Sequence, residues 1–291
     1  MKQIGRLLTA MVTPFDEKGA VDYEQAKKLA LALINSGSDG VVVVGTTGES
    51  PTLVRSEELR LFKEIKAAVG DKGCVVAGTG SNSTAEAVEA TREAEKIGVD
   101  ACLLVVPYYN NPTQDGLYQH FKKIADSTSL PCILYNVPSR TAVSLAPETV
   151  AALAKLPHVA GIKEAGGMAQ ANAVMALTDL PLISGDDDLT LPLMALGAVG
   201  VISVTANAAP GRVKAMVQAA EGGDWAGARA LHHRLHALNG ACFWESSPGP
   251  VKAMLAMMGR IRPGLREPLV PPGTEMRGRL RRLLVKEGLA R

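Results

Sequence analysis

With 291 residues, 47% of them hydrophobic and 21% charged, the chain has the balance of a well-cored globular protein, long enough for one large domain or two modest ones. A formal net charge of +2 leaves no general electrostatic footprint for nucleic acid, and the locally basic stretch Arg277–Arg291 reads as a solvated face. No apolar run approaches the ~18 residues of a membrane helix, Met1–Arg6 carries no secretory core, and Cys74, Cys102, Cys132 and Cys242 lack zinc spacing, so a reducing, cytoplasmic setting is expected.

Eight short, nearly continuous apolar runs follow one another: Leu7–Val12, Val41–Val44, Cys74–Ala77, Ala101–Val106, Cys132–Tyr135, Val159–Ile162, Leu182–Ser184 and Val199–Val204. Continuous rather than alternating hydrophobicity suits strands of a parallel sheet, buried on both faces. Helical periodicity fills the gaps, as in Ala26, Leu29, Ala30 and Leu33, then Ala87, Ala90, Ala94 and Ile97, then Leu117, Phe121, Ile124 and Ala125. Ser56, Ser83-Thr84 and Pro147 read as start signals for three of these helices.

Eight strands alternating with helices predict a (β/α)₈ TIM barrel. A doubly wound sheet is the competing architecture. It wants a Gly-rich turn after its first strand, whereas Leu7–Thr13 runs into Pro14-Phe15, and Gly78-Thr79-Gly80 lacks the third glycine of a dinucleotide fingerprint. From about Gly211 the strand pattern stops and four helices are expected near 212–221, 225–243, 250–258 and 274–287. The predicted organisation is a catalytic barrel over residues 1–222 with a C-terminal helical region, 223–291, packed on it.

Barrel chemistry sits at the C-terminal strand ends. There the sequence places Gly45-Thr46-Thr47-Gly48-Glu49-Ser50, Pro107-Tyr108-Tyr109, Tyr135-Asn136-Val137-Pro138-Ser139-Arg140, Lys163-Glu164, Gly185-Asp186-Asp187-Asp188 and Thr205-Ala206-Asn207. Lys163 ends a buried strand, where desolvation favours the neutral, nucleophilic amine; the alternative is a rim lysine paired with Glu164. Tyr135 is either a proton relay beside it or a core tyrosine. Arg140 is either a bidentate clamp for a carboxylate or a solvated loop residue. Asp186–Asp188 reads better as a helix N-terminus than as a cation site, and His232, His233 and His236 lack the intervening glutamate of a metalloprotease motif. No metal site is expected.

Taken in order, these motifs resemble the class I aldolase-like family that includes dihydrodipicolinate synthase and N-acetylneuraminate lyase. The specific anchors are Gly45–Glu49, Pro107–Tyr109, Tyr135–Thr141, Gly161–Glu164 and Ser184–Asp186, with the similarity running from Ala10–Phe15 into the C-terminal helices. The resemblance implies a lyase that joins pyruvate to L-aspartate 4-semialdehyde through a Schiff base on Lys163, without metal or organic cofactor. It implies a proton relay of Tyr135, Thr46 and Tyr109, the last supplied by a neighbouring subunit of a homotetramer built from dimer pairs. It gives Thr47 to the pyruvate carboxylate, Arg140 to the second substrate, and Gly185 and Ile202 to the pocket lining. A regulatory L-lysine site is implied at Ser50, Pro51, Arg55, Glu58, Asn82, Glu86 and Tyr108, where Arg55 departs from the family's usual histidine or neutral residue. The alternative within the family is a sialic acid or keto-sugar-acid lyase, against which Arg140 argues.

Overall fold

The computed structural model describes residues 4–290; Met1–Gln3 and Arg291, at the two ends of the terminal stretches considered above, lie outside the described residues. Its strands are β1 (Leu7–Ala10), β2 (Gly40–Val43), β3 (Cys74–Gly78), β4 (Ala101–Val105), β5 (Cys132–Asn136), β6 (Val159–Glu164), β7 (Leu182–Ser184) and β8 (Gly200–Ser203). Each pairs in parallel with its sequence neighbours, and β8 closes on β1 through Leu7–Thr9. Closure excludes the doubly wound alternative, because such a sheet keeps two free edges. The fold is a (β/α)₈ barrel with a C-terminal helical region.

Among the described residues, twelve α-helices surround and extend the barrel. They are α1 (Tyr23–Asn35), α2 (Arg55–Val69), α3 (Thr84–Ile97), α4 (Gln114–Ala125), α5 (Pro138–Thr141), α6 (Pro147–Leu153), α7 (Met168–Leu177), α8 (Thr190–Leu196), α9 (Pro210–Glu221), α10 (Trp225–Ala241), α11 (Gly249–Met257) and α12 (Thr274–Lys286). Two of the expected start signals lie where the sequence placed them: the Ser83 hydroxyl accepts from the Glu86 amide, and Pro147 is the first residue of α6. Ser56 does not cap α2. That helix begins at Arg55, and the Glu57 carboxylate reaches back to the Val54 amide at 3.1 Å, so the side chain of the third residue covers the exposed donor.

The strands bury both faces. Leu8, Val42, Val76, Leu103, Ile133, Tyr135, Ile183 and Ile202 form one apolar cluster inside the barrel. The alternate residues Val41, Val43, Val75, Cys102, Leu104 and Leu134 pack outward against helix residues such as Leu29, Phe62 and Phe121. Each fully buried side chain of this size stabilises the fold by ~1.5–3 kcal/mol. The outer cluster continues without interruption into α11 and α12 through Val251, Leu255, Leu280 and Leu284. All four cysteines are buried and free, as small core residues. Among the described residues no helix is long and apolar enough to cross a membrane.

Candidate active site

Strand register assembles the site. Tyr135 on β5 is the direct partner of Lys163 on β6, so both side chains leave the sheet toward the barrel interior. The Lys163 amine lies 4.2 Å from the centre of the Tyr135 ring. Both residues are buried. Burial lowers the Lys163 pKa to about 8, opposed by the Asp187 carboxylate and assisted by the Arg140 guanidinium. Burial likewise raises the Tyr135 phenol to about 12, against the pull of Arg140 and of a hydrogen bond from the Thr46 side chain. Burial therefore favours the neutral form of both groups, bringing the free amine of Lys163 within reach of neutral pH and keeping the Tyr135 phenol protonated.

Thr46 and Thr47 reach the site on a tight turn after β2. Thr46–Gly48 is one turn of 3-10 helix, entered through Val44 at φ +60° and left through Glu49 at φ +58°. Left-handed backbone at a β-branched valine is strained, and it redirects the chain over the barrel mouth. The Thr13 hydroxyl donates to the Gly48 carbonyl at 2.6 Å and ties the turn to the segment following β1. Opposite, a Cβ on Gly185 would stand 3.2 Å from the Lys163 Cε and 2.9 Å from the Ala165 Cβ, so glycine keeps space free above the lysine.

The result is a cavity of about 510 Å³ lined by Thr46, Thr47, Tyr135, Arg140, Lys163 and Gly185, among others. Arg140 lies on the short helix α5 rather than in an open loop, exposed at the rim, with a 3.5 Å contact from its guanidinium to the Ser247 carbonyl. Ile202 is fully buried in the apolar cluster that contains Tyr135 and Ile183.

Glu164 does not pair with Lys163. Its carboxylate accepts from the Asn136 amide at 2.9 Å and from the Gly166 amide at 2.6 Å, and burial raises its pKa to about 7. Adjacent strand residues point to opposite faces, which sends Glu164 away from the cavity that Lys163 enters. The Asp186–Asp188 reading also changes. Asp187 is buried, accepting from the Ser203 hydroxyl and from the Val204 and Thr205 amides at 2.9 and 3.0 Å. It lines the cavity with Lys163 instead of capping α8, whose N-terminal flank is Leu189. Asp186 and Asp188 border the same cavity, but Asp187 is the buried member, and a run of three aspartates carries no signal for which of them is buried. Asp188, by contrast, accepts from Asn239 at 3.0 Å and stands 3.3 Å from the His236 ring nitrogen.

Tyr109 stays apart from the other two candidate relay residues, Tyr135 and Thr46. It is 94% exposed, at φ +74°, and does not line the cavity that holds Lys163. Tyr108 instead lines a second cavity of about 390 Å³ with Ser50, Pro51, Arg55, Glu58 and Glu86; Thr46 and Arg140 border both cavities. Arg55 donates to the Glu58 carboxylate at 2.7 Å, and its guanidinium lies 3.7 Å from Glu93. Burial nonetheless raises the Glu58 pKa. Asn82 lies at the edge of this region, its carbonyl accepting from Asn110 at 2.8 Å.

The dihydrodipicolinate synthetase family model matches residues 3–287. The chain is 54% identical over 272 residues to the 4-hydroxy-tetrahydrodipicolinate synthase of Dehalococcoides mccartyi strain 195, covering 92% of each chain. It is 51% identical over 290 residues to the enzyme of that name from Moorella thermoacetica, covering 99% of each. Among solved structures, that of the Cyanidioschyzon merolae enzyme with lysine bound matches with a TM-score of 0.96 at 42% identity, over 98% of this chain and 99% of that one.

Proposed function

The chain belongs to the dihydrodipicolinate synthetase family, and we propose that Lys163 is the residue on which its reaction is built. The chain is a lyase that condenses pyruvate with L-aspartate 4-semialdehyde to 4-hydroxy-tetrahydrodipicolinate, the first committed step of diaminopimelate and lysine biosynthesis. The observation that carries the assignment of Lys163 is its burial in the same cavity as the Tyr135–Thr46 pair, with its pKa brought down to about 8.

The neutral amine adds to the ketone of pyruvate, and protonation of the resulting hydroxyl lets water leave to give an iminium. The cationic nitrogen withdraws electrons from the adjacent carbon, so a methyl proton departs and an enamine forms. That carbon attacks the aldehyde, whose oxygen takes up a proton. The amino group of the second substrate then adds to the regenerated iminium carbon and displaces Lys163 as the ring closes. Tyr135 and Thr46 carry these protons, since the phenol and hydroxyl are hydrogen-bonded to each other beside the amine. Thr47 holds the pyruvate carboxylate, Gly185 and Ile202 shape the space around the adduct, and Arg140 at the rim receives the carboxylate of the aldehyde substrate.

Tyr109 enters the relay from a second copy of the chain, which accounts for a 94% exposed aromatic beside the mouth. A homotetramer of dimer pairs supplies that copy. The second cavity takes L-lysine, as the lysine-bound relative supports: Glu58 and Glu86 offer carboxylates to the ligand's two ammonium groups, and Arg55, paired with Glu58, stands beside them.

Borohydride reduction in the presence of pyruvate tests the assignment. It should stop activity and leave a stable adduct that peptide mass mapping locates on Lys163. An adduct on any other residue, or none, refutes the reading.

A further inference from the structure

The described residues contain a second buried lysine, far from Lys163 in sequence and outside the reaction outlined above. Lys252 on α11 is 1% exposed, and its amine donates to the Glu49 carboxylate at 2.5 Å; Glu49 is itself 1% exposed. The other Glu49 oxygen accepts from the Arg266 amide at 3.0 Å. The Lys252 ammonium also lies 4.1 Å from the centre of the Phe15 ring, on whose π-face the Arg266 guanidinium sits 4.7 Å away. Arg266 then reaches back over the same turn. It donates to the Thr52 carbonyl at 2.8 Å and to both oxygens of Glu57, at 2.6 and 2.7 Å.

Two facts make this more than packing. Glu49 is the residue that ends the Thr46–Gly48 turn, and it holds a left-handed backbone that a non-glycine residue leaves readily unless its side chain is anchored. Its amide also closes the turn onto the Thr46 carbonyl at 3.0 Å. Its anchors all come from the C-terminal region, more than two hundred residues away. A pair of well-packed apolar side chains would stabilise such a contact about as well as buried ions do; an ion pair adds a fixed direction and distance.

We propose that the buried Glu49–Lys252 pair is a positioning device, by which the C-terminal helices set the turn that carries Thr46 and Thr47 for pyruvate binding and methyl-proton removal. Glu49 and Lys252 touch no reacting atom in this scheme. They act through the turn, and the proposal rests on the Schiff-base reading of Lys163.

The test uses full-length protein and three readouts: KM for pyruvate, exchange of pyruvate methyl protons for deuterium followed by NMR, and borohydride trapping at saturating pyruvate. Glu49→Gln keeps shape and removes the charge. It should raise KM and slow methyl exchange by roughly tenfold to a hundredfold, the cost of displacing a positioned group by about 1 Å, while saturating pyruvate still traps on Lys163. Glu49→Gln combined with Lys252→Met should lose no more than the single variant, because the pair acts as one unit. Glu49→Gln with a lower melting temperature but ordinary KM and exchange would show a purely structural pair and overturn the proposal. Should Glu49→Gln fail to fold, Lys252→Arg decides: it keeps the buried charge but alters its reach, so ordinary kinetics in that variant overturn the proposal and the same two losses support it. Unmodified enzyme that traps no pyruvate overturns the Lys163 reading and this proposal with it, whereas ordinary trapping with ordinary exchange in Glu49→Gln overturns this proposal alone.

Discussion

The pH dependence of adduct formation is set by how far burial has moved Lys163. An ordinary lysine at 10.5 leaves about 0.03% of its amine neutral at pH 7, whereas a value of about 8 leaves roughly 10%, a gain of about 300-fold in attacking species. At subsaturating pyruvate, the rate of imine formation measured by rapid borohydride quench should therefore climb about tenfold per pH unit below about 8 and level off above it. Asp187 opposes the downward shift, so Asp187→Asn should move the break to lower pH. The same displacement acts on stability. Because the folded value lies below the unfolded one, the unfolded chain binds more protons between about 8 and 10.5, and stability should rise with pH across that window. Below about 8 the cost is present in full, on the order of 3 kcal/mol. Lys163→Met should accordingly be inactive yet melt a few degrees higher at pH 7, because a chain this long gains roughly 2 °C per kcal/mol. A rate that is flat from pH 6, or one still rising past pH 10, would refute the argument that burial activates the amine.

Arg140→Ala should raise KM for the aldehyde substrate by roughly 10- to 150-fold, the loss of a charge-assisted bond of ~1.5–3 kcal/mol, while pyruvate methyl exchange stays within a few-fold of the parent. Equal losses in both assays would make Arg140 structural. Tyr109→Phe should slow methyl exchange at least tenfold, in spite of that side chain's distance from its own cavity. Mixed oligomers of Tyr109→Phe and Lys163→Ala chains should recover activity, because one chain keeps the lysine and the other the phenol; no recovery refutes the shared site. Calorimetry should detect L-lysine binding at millimolar ligand or below, abolished by Glu86→Ala, and an absence of heat would end the regulatory reading.

The barrel was legible because its strands are buried on both faces. Runs such as Ala101–Val106 and Cys132–Tyr135 give continuous hydrophobicity that survives errors of a residue or two at either end, and closure then follows from having eight of them. Lys163 stood out for the converse reason, as a charge at the end of an apolar run. What stayed hidden depends on which way a polar side chain turns. Glu164 stands beside Lys163 and Asp187 between two other aspartates, and nothing in the pattern says which way Glu164 turns or which aspartate is buried. Only register and the Ser203, Val204, Thr205 and Asn136 donors do so. The start of α2 was misplaced at Ser56 because the covering acceptor comes from Glu57, inside the helix, rather than from a residue before it.

Lys163 and Lys252 make a controlled comparison within one molecule. Both are buried, and desolvation is the largest force lowering both pKa values. Lys252 has a carboxylate oxygen at 2.5 Å, so its proton is shared in a bonded pair and its lone pair is not available for addition. The carboxylate that acts on Lys163 belongs to Asp187, and that group is already engaged by a hydroxyl and two backbone amides. Asp187 can therefore favour the cationic nitrogen of an iminium through space without claiming the amine's proton. Burial makes either lysine costly to charge; what distinguishes the proposed nucleophile is that its counter-charge has been bound to something else.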